Sequence, residues 1–207
     1  MTHTDPPSSV STPDRLLDAA ERLFLEKGAD RVSVRAVNAE AGLNPGAVHY
    51  HFGSREGLVA ALLERELLPV WESRLKSLSP GEGDEPVGVE ALVAAVVRPF
   101  EELSRTDKGR MLCHLLARES LPTGGMYSNS PWFTASPFEV MLARALPGLS
   151  AREVSARWRL AFTLLLEVYG RPLDRSATAA GSAPEAATVI AFLTAGLSAP
   201  PPPQEPR

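Results

Sequence analysis

Residues 33–56 read SVRAVNAEAGLNPGAVHYHFGSRE, and this stretch decides the fold of the N-terminal quarter of the chain. Ser33 suits the cap of a helix that carries Val34, Val37 and Ala41 on one face. Gly42 follows as a residue free to adopt a positive φ and end that helix. Asn44 is then expected to cap a second helix, with Pro45 in the first helical position, where its missing N–H costs nothing. Val48 and Phe52 lie four apart and point inward, so His49, Tyr50 and His51 project elsewhere. Gly46 and Ala47 leave room at the start of this second helix for close approach. Ser54 caps a third helix, with Arg55 in its first turn. Two short helices joined by a tight turn, the second with a polar and aromatic outer face, suit presentation of a helix to a DNA major groove.

Upstream, Leu16, Ala19, Ala20, Leu23, Phe24 and Gly28 complete a pattern. From Thr12 to about Leu63 the chain resembles the N-terminal DNA-binding domain of TetR-family transcriptional regulators. Ser33-Val34-Arg35 is similar to the start of that family's second helix, and Ala41-Gly42-Leu43 to its turn. His49-Tyr50-His51-Phe52-Gly53-Ser54-Arg55-Glu56 resembles its Tyr-x-His-Phe-x-Ser-Lys-Glu signature. The resemblance implies that Pro45, Gly46 and His49 face base edges, with Ala47 against a thymine methyl. It implies that Tyr50, His51 and Arg55 hold phosphates, and that Arg35 reaches either. Ser33 and Asn44, at the two helix starts, complete the expected DNA-binding set. His49 stands where the family usually has Tyr, and Arg55 where it usually has Lys. Asn38 occupies a position where a small buried Ala is common. Its amide is expected to bond backbone near the turn, or else to alter the angle between the two helices.

Charge supports a local reading surface and not a general affinity for polyanions. The whole chain carries a formal charge of −4, yet over 31–55 Arg31, Arg35 and Arg55 meet only Glu40. Affinity should therefore depend on a fitted site and on salt. Among 207 residues, 44% are hydrophobic and 22% charged, which is ordinary for a globular protein with room for a small domain and a larger one. A single cysteine, Cys113, precludes an internal disulfide. The N-terminus lacks a signal peptide's basic and apolar regions, and no apolar run approaches the ~20 residues of a membrane span. A cytoplasmic location is expected.

Beyond the head, the pattern is helical. A long helix over 54–78 carries Leu58, Leu62, Leu63 and Leu67, which suit packing back on the head, and Pro69 is expected to kink it. Residues 81–86 read as a linker, and helices follow over 88–104 and 107–119, with Pro99 expected to bend or stop the first. The stretch from Gly124 to Ser130 reads as a loop. Ser136 with Glu139, Ser150 with Glu153 and Ser182 with Glu185 form capping boxes that open further helices, the last two over 151–169 and 184–198. The expected organisation is all-α: a disordered arm over 1–11, a three-helix helix-turn-helix domain over 12–57, a helical ligand-binding and dimerisation domain over 58–198, and a Pro-rich disordered tail over 199–207.

The last two helices are apolar over more than one face, which suggests a partner. The resemblance implies a twofold dimer built from them, with Val154, Trp158, Phe162, Leu165, Val189, Ile190, Leu193 and Leu197 at the interface. The alternative is that these residues are the core of one chain. Two reading heads one helical turn apart also suit a palindrome. In regulators that this chain resembles, a small molecule binds among the central helices. Met111, His114, Leu115, Arg118, Trp132, Phe133 and Phe162 have the mixed composition of a pocket lining. Packing in the core is the alternative for the apolar ones, and a hydrogen-bonded or surface role for His114.

Catalysis finds no support. His49 and His51 are about 200° apart on a helix and cannot chelate one ion. No Gly-rich phosphate loop, nucleophile elbow or paired-cysteine motif occurs. Cys113, between Leu112 and His114, reads as an inert buried thiol. No metal or cofactor is expected. The partners expected are double-stranded DNA, a second copy of the chain and a small-molecule effector, in a repressor released by that effector. Alternatives are an activator or ligand-independent regulator of the same type, or a helical adaptor that binds protein. An adaptor would not require the polar and aromatic outer face at 44–51.

Overall fold

The computed structural model describes residues 11–78, 87–122, 136–171 and 184–201. The arm before Ser11, the 81–86 linker, the Gly124–Ser130 loop, Trp132, Phe133, Ser182 and the tail from 202 lie outside the described residues. Helices are α1 (Thr12–Lys27), α2 (Val34–Glu40), α3 (Ala47–Phe52), α4 (Arg55–Leu78), α5 (Val89–Ser104), α6 (Asp107–Ser120), α7 (Ser136–Ala145), α8 (Ala151–Tyr169) and α9 (Ala186–Ser198), with a 3-10 turn at Ala29–Arg31. Among the described residues no strand occurs, and no helix is long and apolar enough to cross a membrane.

The chain divides into two compact units between Leu62 and Leu63, inside α4. Leu58 and Leu62 thus belong to the first unit, and Leu63 and Leu67 to the second. Leu16, Ala19, Ala20, Leu23 and Phe24 on α1 are buried in the first unit, as are Val37, Val48, Leu58 and Val59, and α1 packs against α2. The two alanines let the helices approach closely, and a three-to-four residue spacing keeps all five α1 residues on one stripe. Ser11, expected in a disordered arm, instead caps α1 by accepting the Asp14 N–H at 3.3 Å.

In the second unit α5 packs against α6, α7, α8 and α9. Leu92, Val93, Val96, Val97 and Phe100 supply its buried face. Trp71 of α4 donates its indole N–H to the Val96 carbonyl at 3.1 Å, and its ring lies 5.0 Å from that of Phe100. Phe100 in turn stacks on Tyr169 at 5.5 Å. Neither internal proline ends its helix: α4 runs through Pro69, which is exposed, and α5 through Pro99, which is buried. Ser150 caps α8 as expected, accepting the Glu153 N–H at 3.3 Å. Thr106 caps α6 through the Gly109 N–H at 3.0 Å, a cap the capping-box pattern does not reveal because no Glu or Gln follows at the third position. α9 starts at Ala186, two residues later than the sequence suggests, with Glu185 at its N-cap and Pro184 outside it.

One expectation changes here. Arg157 of α8 donates to the carbonyls of Leu197 at 2.8 Å, of Ala199, and of Pro200 at 3.1 Å. The start of the segment expected as free tail is therefore tied to α8, because a guanidinium satisfies the orphan carbonyls at a helix C-terminus. Cys113 is fully buried, and burial pushes its thiol up to about 12. It is a packing residue at neutral pH.

Candidate nucleic-acid interface

The geometry of the first unit's helical pair follows from short-range bonds. Ser33 caps α2 by accepting the Ala36 N–H at 3.2 Å. The chain leaves α2 through Gly42, whose φ of 63° would strain a residue with a side chain. Leu43 donates its N–H back to the Asn38 carbonyl at 2.9 Å. Asn44 does not cap with its side chain as expected. Its backbone carbonyl accepts the Ala47 N–H at 3.0 Å, so Pro45 and Gly46 form a turn and α3 begins only at Ala47. The sequence places the cap two residues early because a Pro that starts a helix and a Pro that starts a turn adopt the same φ.

Asn38, 1% exposed, joins the two helices. Its Nδ2 donates to the Pro45 carbonyl at 2.5 Å and its Oδ1 accepts the Val48 N–H at 3.1 Å. The expectation that this amide bonds backbone near the turn holds. Val48 is fully buried beneath α3, while Phe52 is only half-buried.

The outer surface carries Ser33, Arg35, Asn44, Pro45, Gly46, His49, Tyr50 and His51, all exposed, and Ala47, half-buried. Tyr50 is 86% exposed and meets the His51 ring edge-on at 4.9 Å. A large aromatic left this bare, with no apolar neighbour to cover it, is the strongest single mark of an interface on this unit. His49 directs Nδ1 to the Gly53 carbonyl at 3.1 Å. Glu40 is drawn off by Arg22 at 3.3 Å, at an exposed site where such a pair is weak.

Arg55, expected at a phosphate, is bonded within its own fold. Its Nη2 donates to the Ala29 carbonyl at 2.7 Å and its Nε to Val32 at 3.3 Å, and the guanidinium stands 5.7 Å from the Phe24 ring centroid. A fork that holds two carbonyls of the 28–32 turn is a structural tie, which the planar guanidinium makes better than an ammonium. Ser54 caps α4 through the Gly57 N–H at 3.1 Å. The Glu56 carboxyl is held below its ordinary range by its backbone bond, then by the Ser54 hydroxyl and the nearby Arg55 charge, against a small effect of burial.

In the second unit the expected pocket residues that are described lie on α6 and α8, two helices that pack together. Met111 and Leu115 are packed in the core. His114 directs Nδ1 to the Gly170 carbonyl at 2.9 Å, Arg118 is exposed, and Phe162 lies half-buried 5.5 Å from Trp158. Trp132 and Phe133 lie outside the described residues. The expected interface residues Val154, Trp158, Leu165, Val189, Ile190, Leu193 and Leu197 are all buried within the unit, and only Phe162 is part-exposed. The apolar residues that face outward from α8 and α9 are others: Leu160 is 73% exposed and Phe192 67%. With Arg157, Ala161, Leu164, Gly196 and the expected Leu193 and Leu197 they line a groove between the two helices. Sequence reasoning missed Leu160 and Phe192, because both helices are apolar nearly all round and periodicity does not say which stripe is inside.

Comparison with known proteins gives the same picture. Residues 16–62 match the family described as bacterial regulatory proteins, tetR family. The HTH-type transcriptional regulator TtgR of Pseudomonas putida is 36% identical over 103 residues, 49% of this chain and 47% of the relative. The HTH-type transcriptional repressor BepR of Brucella suis is 22% identical over 118 residues, 57% of this chain and 55% of the relative. The matched stretches thus span about half of these relatives' lengths. Among solved structures, SmeT, the repressor of the Stenotrophomonas maltophilia multidrug efflux pump SmeDEF, is similar over 95% of this chain and 98% of its own, at 25% identity and a TM-score of 0.57.

Proposed function

We propose that this chain, which is similar over residues 16–62 to the bacterial regulatory proteins of the tetR family, is a sequence-specific DNA-binding transcription regulator. In this reading it is a homodimeric cytoplasmic repressor of a palindromic operator, released by a small-molecule ligand. The observation that carries the DNA-binding part is the exposed face of α3. Its buried residue, Val48, is locked by Asn38, while His49, Tyr50 and His51 stand clear of the fold. A helix fixed from behind and bare in front is what insertion into a major groove needs. Its contacts divide by chemistry: Pro45, Gly46, Ala47 and His49 lie toward base edges, while Arg35, Tyr50 and His51 hold phosphates, with Ser33 and Asn44 beside them.

Dimerisation is supported by the outward apolar face of α8 and α9, centred on Leu160, Leu164 and Phe192. Large exposed side chains on adjacent helices form a patch that a second copy can cover isologously. Ligand release is supported by the similar SmeT, of which a complex with triclosan is known. A ligand that prefers the conformation with wrongly spaced heads need supply only about 1–3 kcal/mol of coupling to change operator affinity roughly 5- to 150-fold.

The test is selection from random duplex DNA with the full chain, beside a Tyr50→Ala, Arg35→Ala control. Enrichment of one palindrome, lost in the control, supports the reading and gives the half-site spacing. No enrichment at low salt by folded, dimeric protein removes it, and a protein-binding adaptor takes its place.

A further inference from the structure

We propose that His49 selects a base edge that offers a hydrogen-bond donor, adenine or cytosine, because Gly53 holds its imidazole in one tautomer. The inference rests on α3 being the DNA-reading helix. Two bonds link these residues: the Gly53 N–H donates to the His49 carbonyl at 3.1 Å, and His49 Nδ1 lies 3.1 Å from the Gly53 carbonyl oxygen. The second bond requires the chain to turn back at the end of α3, and it does so through the Gly53 φ of 75°. A Cβ at Gly53 would meet nothing within 4 Å, so this conformation and not a lack of space is what calls for glycine.

A carbonyl oxygen can only accept. The proton of the Nδ1···O bond therefore sits on Nδ1, and in the neutral ring Nε2 is left with a lone pair and no proton. His49 is exposed, so Nε2 is free to meet a partner as an acceptor. In the major groove, adenine N6 and cytosine N4 donate, whereas guanine N7 and O6 and thymine O4 accept. A bare Nε2 thus pairs with adenine or cytosine and sets lone pair against lone pair with guanine or thymine. The tyrosine usual at this position in the family carries a hydroxyl that donates or accepts, and it makes no such distinction.

Two measurements test this. First, two-bond proton–nitrogen correlations on the full chain labelled with 15N-histidine report which ring nitrogen is protonated, at about pH 8.5, where an ordinary imidazole is neutral. The His49 signals are those lost in His49→Phe. Protonation on Nδ1 is expected, and protonation on Nε2 overturns the proposal without any DNA being present. Second, duplex selection at the same pH compares wild type, His49→Phe and His49→Arg. Wild type should favour adenine or cytosine at one position per half-site by about two- to tenfold, the worth of one neutral hydrogen bond. His49→Phe should level that position alone, and His49→Arg should convert it to guanine. Guanine or thymine there in the wild type, or a profile unmoved by His49→Phe, overturns the base preference. Failure of the wild type to enrich any sequence overturns the DNA-reading assignment together with the base preference, while the nitrogen spectrum still decides the tautomer.

Discussion

The side-chain oxygen of Asn38 accepts the backbone N–H of Val48 at 3.1 Å, and the same amide donates to the Pro45 carbonyl. One residue of α2 thereby satisfies both the first turn of α3 and the bend that leads into it. A six-residue helix has too few internal bonds to hold itself. Its direction is set from outside, by this buried amide and by the Val48 side chain beneath it.

Asn38→Ala should therefore lower stability by about 2 kcal/mol, since it leaves a buried N–H and a part-buried carbonyl without their partner. Urea unfolding measures the loss. Asn38→Asp should be worse at neutral pH than at acid pH, because its carboxylate keeps the Val48 bond but faces the Pro45 carbonyl with a second acceptor. Equal stability of the two variants and the wild type would deny the latch.

Arg55 and Arg35 should separate cleanly. Arg55→Ala loses two charge-assisted bonds to the Ala29 and Val32 carbonyls and should cost about 1.5–3 kcal/mol in urea unfolding. Arg35→Ala, at an exposed position, should leave stability within about 0.5 kcal/mol and lower the salt slope of DNA binding by about 1. Tyr50→Ala should weaken binding to all sequences without altering that slope, since it removes no charge. Stability unmoved by Arg55→Ala would return that residue to the phosphate contacts.

Charge placed on the outer stripe should act differently from charge placed on the inner one. Phe192→Glu or Leu160→Glu should give a helical monomer by light scattering and circular dichroism. Leu193→Glu or Leu165→Glu should unfold the second unit, because it buries a carboxylate without a partner. A dimer that survives Phe192→Glu with Leu160→Glu would place the interface elsewhere.

Acid should weaken one specific tie. Burial raises the Glu66 carboxyl, but Lys108 at 2.7 Å and Arg65 at 2.8 Å outweigh that, so its pKa falls below the ordinary 4.5. A depressed carboxylate contributes stability above the unfolded-state pKa and loses it as pH falls through the folded one. Lys108→Met should therefore cost up to about 1 kcal/mol at neutral pH, and the difference from wild type should shrink below pH 4.5. Urea midpoints measured across that window check it, and a pH-independent difference would mean that Lys108 acts only through packing.

Much of the head was legible from residue order alone, because its turns close over three or four residues. Ser33, Gly42, Ser54 and the inward Val48 act on neighbours in the chain, so their identities specify their geometry. The start of α3 was misplaced by two residues, since Pro45 has one φ for both uses. The extents of α4, α5, α6 and α8 were likewise readable from periodicity and caps.

What the sequence by itself determined was the helical class, the head with its turn, and the outward set of His49, Tyr50 and His51. Only the tertiary structure decided where long side chains and wide apolar faces go. Arg55 finds its partner 26 residues away, at Ala29, and nothing local announces that a guanidinium will prefer carbonyls of its own fold to open surface. On α9, Leu193 is covered and its neighbour Phe192 is bare; on α8, Leu165 is covered and Leu160 bare. Periodicity marks a residue's angle around its own helix, but burial depends on which other helices stand at that angle, and those are placed by residues far along the chain.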